Sequence, residues 1–206
     1  MKVILVNGSP NEKGCTYTAL SHVAETLNEQ GIDTEFFWLG TDPIASCISC
    51  GACSQTGKCV FDDKVNEFLE KAAVADGFVF GSPVHYASAS GAMTAFMDRV
   101  FFSGTSLFAY KPGACVVSAR RAGTTATLDQ LNKYLTYSQM IIPTSFYWNM
   151  VHGFTPEDVE KDLEGVAVMR TLGRNMGWLL CCKEAALKAG IEPPKGEAHV
   201  MTNFIR

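Results

Sequence analysis

The chain of 206 residues is long enough for one well-packed domain, and a second independent domain would be crowded. Hydrophobic residues make up 47% of it and charged residues 18%, as in ordinary globular proteins that fold in water. The formal net charge of −4, with no basic stripe in the sequence, argues against nucleic acid as a partner.

The chain begins MKVILV, with a single lysine and a short apolar run before NGSP. This run is shorter than a secretory signal or a membrane span requires. We therefore expect a cytoplasmic protein with no membrane partner. A reducing compartment also disfavours structural disulfides among the eight cysteines.

Short apolar runs alternate with longer amphipathic stretches, which predicts a β/α protein with a parallel sheet. The first run is continuously apolar, as is typical of a strand covered on both faces, and residues 15–30 then form a helix that ends at Gly31. Strands are predicted at Val3–Val6, Thr34–Leu39, Phe78–Phe80, Ala114–Ser118 and roughly Ile141–Tyr147.

The last helix has the clearest start signal. Thr155 is a candidate N-cap, Pro156 takes the first helical position and Asp158 completes a capping box. Gly190, followed by prolines, marks the end of the helix. Because residues 156–189 would make an unusually long helix, we expect a break near Gly165 or Gly173.

Five strands, each followed by a helix, predict a single domain over residues 1–206 with a three-layer, doubly wound parallel sheet. Ligands of such folds bind at the carboxyl ends of the strands. The functional question therefore concentrates on the loops at 8–18, 81–90 and 118–125. Two further features are a cysteine-rich loop at about 40–61, called here the cysteine segment, and a tail at 191–206. The apolar end of the tail, Phe204 and Ile205, is expected to pack on its own domain or on a partner.

The first loop, NGSPNEKGCTYTAL, follows a buried strand and opens a helix, where backbone N–H groups and the helix dipole favour a phosphate. It is not a Walker A loop, because Cys15 stands where the lysine would be, and it contains no G-x-G-x-x-G fingerprint. Its hydroxyls, without a lysine at that position or a magnesium ligand, suit the phosphate of a flavin mononucleotide. An ordinary polar turn with a helix cap is the alternative.

The second loop begins SPVHY and continues with small residues that let the backbone approach a flat ring. Tyr86 is suited to stacking on such a ring or on a partner subunit, and His85 to donating a hydrogen bond. The third loop, SARRAGTT, offers backbone donors and two arginines. Arg120 or Arg121 is placed to stabilise a reduced flavin ring or the phosphate of NADPH, and a solvated basic pair is the alternative.

Taken in this order, the loops resemble those of the NAD(P)H-dependent FMN reductases of the flavodoxin-like superfamily. GSPNEKGCT at 8–16 is similar to the phosphate loop of that family, and SPVHYASASGAMTAFMDRVF at 82–101 to its flavin-ring loop and the helix that follows. The resemblance covers most of the chain. It implies a flavodoxin-like α/β fold, bound FMN and NAD(P)H as co-substrate.

The resemblance also implies site residues. Those expected to hold the FMN phosphate are Ser9, Asn11, Cys15, Thr16 and Tyr17. Those expected to border the flavin ring are Pro83, Val84, His85, Tyr86 and Ser88, with Ala119 and Arg120 on the other flank. Two positions depart from the family pattern. Cys15 replaces the usual asparagine, which leaves a backbone contact, and His85 replaces the commoner tyrosine, which leaves its role in substrate choice open.

The cysteine segment contains Cys47-x2-Cys50-x2-Cys53-x5-Cys59, which resembles the compact motif of the iron–sulfur flavoproteins, a sister branch of this family. Three cysteines at x2 spacing can wrap one cubane, and a fourth nearby completes a [4Fe-4S] site. Zinc is a weaker alternative, because paired zinc ligands are usually separated by a longer loop. Reduced thiols on a structural flap remain a further alternative.

These features predict an FMN-dependent oxidoreductase that takes hydride from NAD(P)H and reduces a quinone, a nitro or azo compound, or a free flavin. Such chemistry requires no catalytic side chain of its own, since the cofactor carries the reaction. The alternatives are an iron–sulfur flavoprotein or flavodoxin-like carrier that exchanges electrons with ferredoxin, and an interaction protein with a zinc-stapled loop. The resemblance implies a homodimer or a higher homo-oligomer.

Overall fold

The computed structural model describes residues 1–197 and, within the tail, residues 200, 202 and 204. Its strands are β1 Lys2–Asn7, β2 Asp33–Trp38, β3 Gly77–His85, β4 Ser88–Ala89, β5 Gly113–Ala119 and β6 Met150–His152. Five of them are parallel in the order β2-β1-β3-β5-β6, and β4 pairs antiparallel with the end of β3. The predicted five-stranded parallel sheet is confirmed.

Helices cover both faces of the sheet. They are α1 Cys15–Asn28, α2 Cys53–Thr56, α3 Lys64–Ala72, α4 Gly91–Gly104, α5 Thr124–Tyr137, α6 Pro156–Val159 and α7 Leu163–Lys188. The buried side chains of α1 and α7 share one core cluster, whereas those of α3, α4 and α5 share another on the opposite face. In the part of the chain that the structure describes, no helix combines the length and the apolar character that crossing a bilayer demands.

The two cores differ in chemistry. One contains interlocking phenylalanine rings: Phe37, Phe68, Phe78, Phe80, Phe96, Phe101 and Phe108. The other is aliphatic, with Val3 and Leu5 of β1 packed against α1 and α7. Because a strand between two cores is buried on both faces, β1, β3 and β5 carry continuous apolar runs rather than alternating ones.

The predicted fifth strand at 141–147 is wrong in position. Ile141 makes only an isolated bridge to Pro112, and the chain then leaves the sheet until Met150. Pro143 has no N–H with which to continue a hydrogen-bonded ladder. The aromatic residues Phe146 to Trp148 are largely exposed in this excursion.

The capping box at Thr155 and Asp158 is confirmed, and the expected break in the helix is present, just before Gly165 rather than at either glycine. The break lies at residues 160–162. Asp162 ends it by accepting a hydrogen bond from the Gly165 N–H at 2.9 Å, which caps α7. Both glycines therefore lie inside α7, where their lack of a side chain allows close packing.

The end of the tail does not pack on its own domain at the positions that are described. The Phe204 side chain is 91% exposed. Ile205 lies outside the described residues, and packing of this end on a partner stays a prediction.

Gly173→Ala tests the contact between α1 and α7. A Cβ at this position would lie 2.8 Å from the Val23 carbonyl oxygen and closer still to Thr26 Oγ1, so the helices would have to move apart. We expect a loss of about 1–3 kcal/mol in the free energy of unfolding, measured by urea denaturation. Gly91→Ala is the matched control, because a Cβ there meets nothing within 4 Å. Equal stability of the two variants would contradict the close-packing account.

Candidate functional site

The loop between β1 and α1 is held rigid by side chains on both sides of it. Asn7 accepts a hydrogen bond from the Ser9 N–H at 3.0 Å and donates one to the Glu12 carbonyl at 2.9 Å. The indole Nε1 of Trp38 donates to the Ser9 carbonyl at 2.8 Å. The Ser9 hydroxyl in turn accepts from the Asn11 N–H at 3.1 Å. The loop conformation is thus fixed without any bound group.

The N-terminus of α1 is left open. Its N-cap, Gly14, provides no side-chain cap, and its first turn contains no acidic residue. Side chains cap α3, α4, α6 and α7: Asp63, Ser90, Thr155 and Asp162. Among the longer helices, α5 shares the open start of α1, because its N-cap is Gly123. The first N–H groups of α1 are therefore available to an external acceptor, and the helix dipole favours an anion there.

Two predicted phosphate residues point their side chains elsewhere. The buried Thr16 hydroxyl pairs with the Ser118 hydroxyl at 2.8 Å, and the Cys15 thiol lies 3.7 Å from the Gly153 carbonyl oxygen. Burial raises the pKa of the Cys15 thiol, which keeps it neutral. The backbone N–H groups of these two residues remain available to an anion.

Tyr17 and Lys13 form a pair beside the same helix end. The Lys13 ammonium lies 3.8 Å from the centre of the Tyr17 ring, which also packs on Phe36. Hydrogen bonding to Lys13 lowers the pKa of the Tyr17 hydroxyl. Sequence reasoning missed Lys13, because a search for a Walker lysine considered only the position of Cys15.

The second loop is a tight β-hairpin made by the end of β3 and by β4. At its tip, Tyr86 and Ala87 both have positive φ angles, 51° and 59°. These are the backbone angles of a type I′ turn, which asparagine and glycine adopt at lower cost. The Tyr86 side chain is fully exposed at this tip, and His85 beside it is exposed as well. The hairpin thus presents an aromatic ring to the outside.

Hydrogen bonds tie the hairpin to the first loop. The Gly8 N–H donates to the Gly81 carbonyl at 2.8 Å, and the Ser90 hydroxyl donates to the Gly8 carbonyl at 2.8 Å. Ser88 is anchored to α5, because its hydroxyl donates a hydrogen bond to Gln130 Oε1 at 2.8 Å. Pro83 and Val84 are half-buried along the same edge.

The third loop closes the arrangement. Ala119 ends β5 buried, whereas Arg120 is exposed. Gly123, with φ of 95°, passes so close to the hairpin that a Cβ there would lie 2.7 Å from the Ala87 Cα. The structure therefore brings all three predicted loops to one edge of the sheet, and the end of β6 joins them through the Gly153 carbonyl that faces Cys15.

The cysteine segment lies beside this edge, between β2 and α3. Cys47, Cys50, Cys53 and Cys59 are free thiols and line one small cavity of about 20 Å³. Cys50 is exposed and the other three are half-buried. Among the residues that the structure describes, no group of three or more His, Cys, Asp or Glu side chains is arranged to hold a metal ion. The four thiols share one cavity, and the choice among a cluster, zinc and reduced thiols stays a prediction.

A buried arginine on α4 adjoins this cavity. Arg99 donates its Nε–H to the Cys59 sulfur at 3.1 Å and forms a bidentate pair with Asp63 at 2.6 and 2.8 Å. Burial opposes the charged form of the guanidinium, but its hydrogen bonds to Asp63 and Cys59 outweigh this effect and raise the pKa of Arg99. Sequence reasoning missed Arg99, since nothing in the MDRVF stretch marks it as buried.

The fit of the implied cofactors can be judged from these residues. An open helix end beside a rigid loop and an exposed aromatic hairpin fit a phosphate joined to a flat ring, as in FMN. Four thiols around one cavity, with a buried cation against one sulfur, match the donor set of a [4Fe-4S] centre.

Comparison with known proteins gives the same family. The sequence model described as NADPH-dependent FMN reductase matches residues 1–155. An iron–sulfur flavoprotein of Methanocaldococcus jannaschii is 34% identical over 85% of this chain and 95% of its own length. A flavodoxin, WrbA-like protein of Agrobacterium tumefaciens shares the fold, with a TM-score of 0.62 and 13% identity over 88% of this chain and 98% of that one.

A further solved structure has the same fold. The NAD(P)H:quinone oxidoreductase of Methanothermobacter marburgensis has a TM-score of 0.65 and 20% identity over 85% of this chain and 96% of that one. These structures confirm the predicted flavodoxin-like fold. On the family match and the identity to the M. jannaschii flavoprotein, the chain belongs to the NADPH-dependent FMN reductase family and is an oxidoreductase.

Proposed function

We propose that the chain binds one FMN at the carboxyl edge of its sheet and transfers electrons from NAD(P)H to a small organic acceptor. The observation that carries this proposal is the uncapped N-terminus of α1 beside the exposed hairpin. Family membership supports it. In this proposal residues 1–206 act as a single FMN-binding domain.

The phosphate would be held mainly by backbone. The N–H groups of the first turn of α1, including those of Cys15, Thr16 and Tyr17, are the donors, with the Ser9 hydroxyl and the Asn11 amide beside them. Lys13 adds a positive charge near the helix end. A site of this kind selects a dianionic group on a small molecule, because the donors are fixed before it binds.

The flavin ring would lie along the hairpin, bordered by Pro83, Val84, His85, Tyr86 and Ser88, with Ala119 and Arg120 on the other flank. When bound, FMN accepts a hydride from NAD(P)H and passes the electrons to the acceptor. The protein contributes position, and the exposed Arg120 contributes charge beside the ring. The exposed face of the flavin ring would leave room for flat acceptors such as quinones, nitro or azo compounds, or free flavin.

A second candidate function is that of an iron–sulfur flavoprotein. It is supported by the shared cavity of Cys47, Cys50, Cys53 and Cys59 and by the name of the M. jannaschii relative. When bound, a [4Fe-4S] cluster on these residues supplies one-electron exchange, for which ferredoxin is a suitable partner. The two functions are compatible, since the cysteine segment and the phosphate loop are separate parts of the chain.

A homodimer is part of the proposal. A groove of about 780 Å³ lies between the cysteine segment, α4 and α5, and the exposed rings of Phe102 and Tyr137 line it. Apolar rings exposed next to a cavity are typical of interfaces. A cytoplasmic location also stays a prediction.

Asn11→Asp tests the phosphate position. The added negative charge next to the open helix end should weaken FMN binding at least about tenfold and leave riboflavin, which has no phosphate, unaffected. Quenching of flavin fluorescence by the apo-protein measures both affinities. The control is Asn132→Asp, the same change on α5. Equal weakening of FMN and riboflavin, or an effect of the control as large, would place the phosphate elsewhere.

Tyr86→Ala tests the ring position. Loss of one aromatic contact, worth about 0.5–1.5 kcal/mol, should lower kcat/KM several-fold in anaerobic NAD(P)H oxidation with a small quinone. The control is Trp178→Ala, which removes another exposed aromatic ring, on α7. FMN-loaded wild-type protein that oxidises no NAD(P)H with any small acceptor, yet exchanges electrons with ferredoxin, would favour the carrier function instead.

Iron analysis tests the second candidate function. Protein purified without oxygen, or reconstituted with iron and sulfide, should hold about four irons per chain. Cys50→Ser should lower this content strongly, whereas Cys181→Ser, on the exposed face of α7, should not. Iron below one per chain in reconstituted wild-type protein would count against the cluster and leave the FMN site standing.

A further inference from the structure

Arg99 is the largest fully buried side chain among the described residues, with 1% of its surface exposed. All three nitrogens of its guanidinium make hydrogen bonds. Besides Asp63 and Cys59, they donate to the carbonyl oxygens of Ala45 and Phe61, each at 3.3 Å. These acceptors lie near both ends of the cysteine segment and just after it, so one side chain of α4 fastens the whole segment to the domain.

The contact with Cys59 is chemically specific. A neutral thiol is a weak hydrogen-bond acceptor, whereas an anionic sulfur is a strong one. A buried charged donor aimed at a sulfur therefore suits a sulfur that carries negative charge, as a cysteine bound to iron does. The single carboxylate of Asp63 already balances the guanidinium, so the bond to sulfur is not needed for charge neutrality.

Cys59 is also fixed from its other side. Asn66 of α3 accepts from the Cys59 N–H at 2.9 Å and donates to the Cys59 carbonyl at 2.9 Å. Its backbone is thus pinned by one helix and its sulfur by another. The distance from Arg99 Nε to the sulfur is set by packing of α3 against α4 and does not depend on the exposed part of the segment.

We propose that Arg99 is a positioning residue that holds the Cys59 sulfur through its Nε–H and raises the reduction potential of an iron–sulfur centre bound to the cysteine segment. This inference rests on the second candidate function above. Reduction adds one electron, drawn from bound FMN or from an external reductant, and makes or breaks no bond to Arg99. A fixed positive charge and a hydrogen bond to sulfur both favour the more negative, reduced state.

The test is a potentiometric titration of the reconstituted full-length protein, followed by electron paramagnetic resonance. At the potential where half of the wild-type centre is reduced, the ratio of reduced to oxidised centre in Arg99→Gln should be at least tenfold lower. For a one-electron couple, a tenfold change in this ratio corresponds to a fall of about 59 mV in the midpoint potential. Asp63→Asn should shift the ratio the opposite way, because it removes a negative charge and leaves Arg99 in place. Asparagine is also a good N-cap, so α3 should keep its start.

Glu70→Gln is the matched control. Glu70 is an exposed carboxylate on α3 that pairs with Lys58 of the cysteine segment at 2.9 Å, so its loss loosens the segment without touching the cavity. The Glu70→Gln variant should leave the reduction potential of the centre unchanged, because solvent screens exposed charges. If Arg99→Gln fails to fold or to bind iron, Arg99→Lys takes its place, because it keeps a positive charge beside Asp63 and lacks the Nε–H that reaches Cys59, so the ratio should still fall, by a smaller factor.

A lower midpoint potential in Arg99→Gln together with a higher one in Asp63→Asn supports the proposal. A purely structural role of Arg99 would move both potentials in the same direction or leave both unchanged. A fall in Arg99→Lys supports it when Arg99→Gln cannot be loaded, and an unchanged potential in that variant overturns it. Unchanged potentials in variants that retain full iron overturn it and leave the cluster itself in place. Wild-type protein that takes up no iron overturns both, and iron analysis before the titration identifies that case.

Discussion

The functional edge of the molecule depends on the parallel pairing of β1, β3 and β5. Because these strands run the same way and end together, the loops that follow them meet at one edge. Direct hydrogen bonds then lock the loops to one another, from Gly8 to Gly81 and from Ser90 to Gly8. The open N-terminus of α1 has a defined position only because this sheet holds it there.

The cysteine segment depends on a different interaction, the buried guanidinium of Arg99. The segment has little regular structure beyond the short α2, and most of its residues are exposed. Arg99 is buried and its partner Asp63 is about one-third exposed, so the pair anchors a part of the chain that has little core of its own. The same contact reaches Cys59, which links the stability of the segment to the chemistry of its sulfur.

The two parts of the molecule suggest a division of roles. The sheet edge offers a rigid, mostly backbone site suited to a flavin, whereas the cysteine segment offers thiols on a less ordered loop fastened at a few points. Membership in the FMN reductase family and similarity to iron–sulfur flavoproteins agree with this division.

The sequence by itself determined the fold class, the three loops and the spacing of the four cysteines, because strand periodicity, helix caps and motif spacing are local properties. Two errors lie at local signals, a proline without an N–H and an aspartate cap. Pro143 moved the last strand to Met150–His152, and Asp162 rather than a glycine set the helix break. Only the tertiary structure showed that the side chains of Thr16 and Cys15 face inward and that Arg99 meets Cys59, forty residues away in the chain. Such contacts depend on how distant elements pack, and no local pattern records that.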